Sequence, residues 1–330
     1  MRKEHLQTIL GLLISGAAVA LILWVVDLGA VRQALGAVNL AALSPILILV
    51  LVSYGARAAC WWTILPGKLT YPRVFLVMNA GYLINTVFPF RMGEIGRALL
   101  LKTDGLKFWK VLPTILLERL FDLALALVLF FTALPFLFNF QSRSTLVVLI
   151  AGLVPAGLAS LYALKRYQRR VLAWVGGRDP KASGLRKWLQ EKLAAFLSGL
   201  DVLAEPNRLL RAFLWMVVSW TLALIYQFFL MQAVLGQARP LWVTFSLGAV
   251  ALGAALPSSP GNLGVYEASL IGALSVFGID RSLALTYAIL SHGLNIGLTL
   301  LFGTLALVQE GTALGSIWAY RTGVDKEGEA

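Results

Sequence analysis

The sequence predicts an all-α polytopic membrane protein, a helical bundle carrying two broken, re-entrant hairpins arranged as an inverted repeat. Three observations lead there. First, the 330 residues are 59% hydrophobic and only 13% charged, with a mean hydropathy of +0.80; that is about half the charged fraction of a soluble domain. Second, the apolar residues gather in runs long enough to cross a bilayer. Third, two shorter runs end in proline–glycine breaks at corresponding places in the two halves of the chain.

A helix needs about 20 apolar residues to cross the hydrocarbon core. Six runs meet that length: Thr8–Val26, Leu40–Leu65, Val111–Phe138, Leu146–Leu164, Ala212–Leu235 and Leu283–Val308. Thr8–Val26 follows a basic Met1-Arg2-Lys3 but is too long for a signal-peptide core and lacks a small-x-small cleavage site, so it reads as an uncleaved first span. Val74–Phe90, Leu241–Leu256 and Leu263–Phe277 are shorter and bounded by Pro and Gly, which suits re-entrant segments better than full spans. Ten Trp and 30 Gly suit interfacial anchors and close helix contacts.

The net charge of +12 does not point to nucleic acid, because excess Lys and Arg in such a chain mark cytoplasmic loops and contacts to anionic lipid. With six spans and the N-terminus in the cytoplasm, most basic residues fall inside. Arg32, Arg143, Arg239 and Arg281 fall outside and Arg119 lies within a span. Both termini are therefore expected in the cytoplasm of a bacterial or archaeal inner membrane. The chain reads as one transmembrane domain, 1–330, with halves 8–164 and 209–308. Between them, 165–208 is a basic segment in which Leu185, Leu189, Leu193, Phe196, Leu200 and Leu203 repeat at helical spacing. This amphipathic helix either lies on the inner leaflet or caps the bundle. The lone Cys60 excludes an internal disulfide, and His5 and His292 are far apart, so neither a metal site nor a cofactor is expected.

Thr86–Arg97 and Ala255–Glu267 share one pattern: an apolar run, a Pro break, a Gly-bearing turn, then a helix with Gly and Glu in its first turns. Proline cannot continue the preceding helix, and glycine permits the reversal. Two such hairpins entering from opposite sides would form an inverted repeat with a binding site between them. The new helix N-termini favour an anion, and Arg91 and Arg97 suit phosphate. Glu94, three residues from each arginine, is expected to pair with Arg97; a purely structural clasp of the three is the alternative. Glu118, Arg119 and Asp122 cluster in the first third of a long apolar run and must face protein or water. They read equally as substrate contacts or as an ion pair holding their helix to Arg91 or Arg97. Glu267 has no basic residue within a helical turn and is a candidate for reversible protonation. His292 and Asn295 read as an interhelical hydrogen-bond pair.

At these motifs the chain resembles the flippase-like membrane family related to the transmembrane domain of lysylphosphatidylglycerol synthase. The resemblance rests on Arg91-x-Gly93-Glu94-x-x-Arg97, Glu118-Arg119-x-x-Asp122 and Pro257-x-x-Pro260-Gly261-x-x-Gly264-x-x-Glu267. It implies a protein that handles or translocates lipids, whether aminoacylated phospholipid, polyprenyl-linked glycolipid or hopanoid, with those residues forming the substrate site. The bifunctional synthase adds a soluble aminoacyl-transferase domain, whereas this chain ends shortly after Val308, so synthase activity is not expected. The reading is a transporter of an anionic or polyprenyl/hopanoid-type lipid rather than an enzyme. The alternatives are an intramembrane lipid transferase or phosphatase using Glu94, Glu118 or Asp122 as base, and a non-transporting partner of a lipid-modifying enzyme. Expected partners are lipids with anionic headgroups, and a second copy of the chain or such an enzyme.

Overall fold

The computed structural model describes residues 44–88, 91–137, 156–176, 184–254 and 259–309, with isolated positions 29, 32, 33 and 36 before them. The Thr8–Val26 run, the start of Leu146–Leu164, and Pro89 and Pro257 lie outside the described residues. Among the described residues regular structure is helical throughout. In chain order the helices are α1 (Ser44–Ile64), α2 (Tyr71–Val87), α3 (Met92–Leu100), α4 (Phe108–Leu137), α5 (156–166), α6 (Gln168–Gly176), α7 (Gly184–Gly199), α8 (Pro206–Leu235), α9 (Pro240–Gly253), α10 (Val265–Ser275) and α11 (Arg281–Gln309).

Helices α1, α8 and α11 are long and apolar enough to cross a membrane. The 30-residue α4 matches them in length but carries Glu118, Arg119 and Asp122. By contrast α3, nine residues, and α10, eleven, reach only about 14–17 Å, roughly half the hydrocarbon thickness. The distribution of polarity is that of a molecule solvated by lipid. Ile48, Phe229, Leu301 and Val308 face outward, while Asn79, Arg97, Glu118, Gln227 and Thr299 are buried.

Each short helix folds back on its predecessor. Asn85 meets Gly93, Ile84 meets Gly96 and Gly81 meets Arg97, an antiparallel register between α2 and α3. A β-carbon on Gly93 would overlap the Gly81 carbonyl, so only glycine lets the two backbones approach this closely. In the second hairpin Gly253 lies against Ser269 and Val265, so α9 and α10 pair likewise.

Most of the main helix contacts recur when α1–α4 are exchanged with α8–α11. α2 packs on α11 and α9 on α4; α1 packs on α2 and α4, α8 on α9 and α11; α1 and α8 pack on each other. At that central contact Ser53 donates to the Ser219 carbonyl (2.9 Å) and Ser219 donates to the Ser53 carbonyl (3.0 Å), each serine occupying the other's role. The shift of 166 residues that relates them also takes the end of α2, Val87, to the end of α9, Gly253. Beyond the breaks the shift is 173, carrying Glu94 to Glu267, Arg119 to His292 and Asp122 to Asn295. The second break is thus seven residues longer. Trp220 then donates to Asp122 Oδ1 (3.1 Å) as Tyr54 donates to Asn295 Oδ1 (3.0 Å).

Between the halves, α7 packs on α4 and buries Leu197 and Leu200, with Leu203 buried in the turn that follows; Leu193 and Phe196 pack against the same cluster. This part of the basic segment packs its apolar side on the bundle. Trp174, Trp188 and Leu189 remain exposed. Arg208 at the start of α8 donates to the carbonyls of Thr63 and Leu65 (both 2.7 Å), closing the C-terminal end of α1.

Candidate functional site

The flanks of the two breaks meet. Arg91, the N-cap of α3, has left-handed backbone (φ 53°), and its Nη2 donates to the Ala254 carbonyl at the end of α9 (2.6 Å). Thr86 faces Gly261 in the turn Pro260–Asn262, which packs on α2. A cavity of about 490 Å³ opens here. Its walls carry the cations Arg91 and Arg119, the amides of Asn85, Asn262 and Asn295, the phenols of Tyr54, Tyr82 and Tyr266, and His292. A second cavity of about 260 Å³ reaches Arg57, Ser53 and Ser219. Tyr54, Tyr82, Arg119 and Asn295 line both and form the wall between them.

Four arginines and three carboxylates form one network beside these cavities. Glu94, third residue of α3, forms an ion pair with Arg119 (Oε1 3.0 Å from Nε) and lies 3.7 Å from Arg91. Arg119 also reaches Asp122 (3.2 Å), and Arg57 on α1 is salt-bridged to Asp122 and lies 3.6 Å from Glu118. Arg97 is salt-bridged to Glu118, both fully enclosed, and its guanidinium lies over the Trp61 ring at 4.0 Å. The network sums to one positive charge. Arg91 is its most exposed cation, with 43% of the side chain accessible.

The second half repeats this plan with different chemistry. Glu267, third residue of α10, accepts from the N-cap amide of Gly264 (2.7 Å) and lies 2.6 Å from His292 Nδ1. Tyr266 stacks on the imidazole, ring centroids 4.2 Å apart. Where the first half buries Arg97 and Glu118, the second has Leu270 and Ser291, and Gln227 bridges Tyr287 (2.7 Å) and Ser291 (2.8 Å).

Several expectations are corrected by these contacts. Arg97 pairs with Glu118 rather than with Glu94, and it faces Trp61 inside the protein rather than the cavity. Glu267 has a basic partner, His292, from another helix, and His292 and Asn295 each make the interhelical hydrogen bond expected of them, to Glu267 and from Tyr54. The first-turn amides Gly93 and Gly264 are occupied by Asn85 and Glu267, so these helix ends do not present those groups to an anion. Of the remaining predicted site residues, Arg91, Arg119 and Gly261 line the cavity; Glu94 and Asp122 hold Arg119; Pro260 and Gly264 shape the turn; Gly93 closes the hairpin. Arg57 joins the site without having been expected there; an arginine inside the Leu40–Leu65 apolar run, in Gly55-Ala56-Arg57-Ala58-Ala59, is the sequence signal for it.

These features define a helical membrane protein with a charged cavity between two short-helix hairpins. The chain belongs to the family described as the lysylphosphatidylglycerol synthase TM region, which matches residues 8–303. The family is one of membrane proteins with lipid-related function. A search of curated proteins gives no match.

Proposed function

We propose that the protein translocates a lipid with an anionic headgroup between leaflets, the headgroup passing through the cavity between the hairpins. The observation that carries this is the surplus positive charge at Arg91, on the wall of a cavity bordered by both breaks. A guanidinium presents the paired donors that fit a phosphodiester. The reciprocal contacts of the two halves support an inverted repeat, in which the Tyr54–Tyr82–Arg119–Asn295 wall alternates between closing one cavity and the other. The protein is then a multi-pass transporter of the inner membrane with both termini cytoplasmic, and not an enzyme. The carboxylates that would serve as a catalytic base, Glu94, Glu118 and Asp122, are each held by arginine.

The test uses the purified protein in vesicles containing fluorescent phosphatidylglycerol, with dithionite quenching reporting the outer-leaflet fraction. Wild-type vesicles should lose protected fluorescence. Arg91→Ala should slow that loss about tenfold, the weight of one charge-assisted contact, and Arg91→Lys should restore part of it. Equal rates in wild-type and protein-free vesicles reject translocation of this lipid; equal rates in wild type and Arg91→Ala remove Arg91 from it.

A further inference from the structure

The geometry points to the Glu267–His292 pair as a proton-binding site whose occupancy is coupled to binding of the anionic headgroup; the anion and its cavity rest on the translocation reading above. The two hairpins place their glutamates alike. The third residue of each re-entrant helix is a glutamate, and each meets the twelfth residue of the long helix that follows. In the first half that residue is Arg119, whose charge is permanent (3.0 Å). In the second it is His292 (2.6 Å), the one common side chain that exchanges a proton near neutral pH. Equivalent positions thus hold a fixed and an exchangeable cation, and both line the same cavity.

The proton has a definite place. At 2.6 Å from a carboxylate oxygen, Nδ1 is the nitrogen that carries the hydrogen of the neutral imidazole. An added proton therefore goes to Nε2, turning a carboxylate–imidazole pair into a carboxylate–imidazolium pair. The groups facing it are few. On α10 they are Glu267 and Tyr266; across the cavity Arg91, Arg119, Tyr54 and Tyr82; from α8 Tyr226 and Gln227; on α11 itself Tyr287, Ser291 and Asn295. Glu267 is the acidic member of this set. The four arginines and three carboxylates of the first half sum to one positive charge, which Glu267 cancels while His292 is neutral. Protonation of His292 restores it. An anion in the cavity thus sees a neutral site in one state and a cationic site in the other, and proton and anion strengthen each other's binding by the same factor.

The chain's two histidines make this directly measurable. His5→Asn protein carrying ¹⁵N-histidine, in neutral phosphatidylcholine nanodiscs, gives the imidazole signals of His292 alone. Dihexanoyl-phosphatidylglycerol is the probe anion. Its affinity should be about tenfold higher at about pH 5 than at about pH 8, and its addition should displace the His292 titration midpoint by about one pH unit, the same linkage read from the other side. In His292→Gln, which removes the exchanging group, the pH ratio should fall below about twofold. A His292 that does not titrate in this range, a midpoint indifferent to the lipid, or absent or pH-independent lipid binding each overturns the proposal. The two readings fail separately. Immobile lipid in vesicles with intact pH-linked binding rejects translocation and leaves the proton site standing; mobile lipid without that linkage does the reverse.

Discussion

The two halves of the bundle share contacts but divide the chemistry between them. In the first, Arg57, Arg97 and Arg119 meet Glu94, Glu118 and Asp122 in a network of fixed charges. In the second, Leu270, Ser291 and Asn295 stand where Arg97, Glu118 and Asp122 do, and one imidazole replaces one guanidinium. Equivalent backbone pairing therefore tolerates either a buried ion pair or a neutral hydrogen-bonded core. What both halves keep is narrower: the glutamate at the third position, its basic partner, and the donor from the central helix to residue 122 or 295.

The largest way to break this comparison is to strand a buried charge. Glu118→Gln leaves the Arg97 guanidinium enclosed without its carboxylate, and should cost about 3–5 kcal/mol, read as a lower thermal unfolding temperature in detergent. The double variant Arg97→Leu with Glu118→Ser installs the residues of the other half and should recover most of that loss. Failure to recover would show that the first half needs its ion pair as such. Next comes Gly93→Val, which drives a side chain into the Gly81 carbonyl; it should cost about 1–3 kcal/mol by the same measurement. Smaller still, Trp220→Phe and Tyr54→Phe each remove one hydrogen bond to residue 122 or 295, about 1 kcal/mol apiece. A larger loss at Trp220 would show that the acceptor's charge matters. Smallest, Ser53→Ala and Ser219→Ala should each cost about 0.6 kcal/mol and match one another, as the reciprocal bonds demand.

Much of the helical framework was legible because apolar length and Pro–Gly punctuation act locally. Leu40–Leu65, Val111–Phe138, Ala212–Leu235 and Leu283–Val308 each enclose or nearly match an observed helix, and the short runs became α2, α9 and α10. The site was legible as a set of residues but not as pairings. Spacing along α3 joins Glu94 to Arg97, yet Arg97 turns toward Trp61 and Glu118 while Glu94 turns across to Arg119, directions that neighbouring helices decide. Glu267 looked unpartnered because His292 arrives from α11, 25 residues away. The correspondence between the two halves was hidden for two reasons. The shift changes from 166 to 173 within the second break, and most equivalent residues differ in kind: Arg119 and His292, Asp122 and Asn295, Glu118 and Ser291.

Arg91 joins two roles whose combination has a mechanical consequence. A side chain other than glycine in left-handed backbone stores about 1–2 kcal/mol, and here the surrounding contacts, the bond to the Ala254 carbonyl among them, hold it there. A phosphodiester that engages both terminal nitrogens of the guanidinium competes for that same bond. On the proposed translocation, capture of the headgroup and release of α9 from the tip of α3 would be one event, with the residue acting as a sprung latch that its own ligand opens.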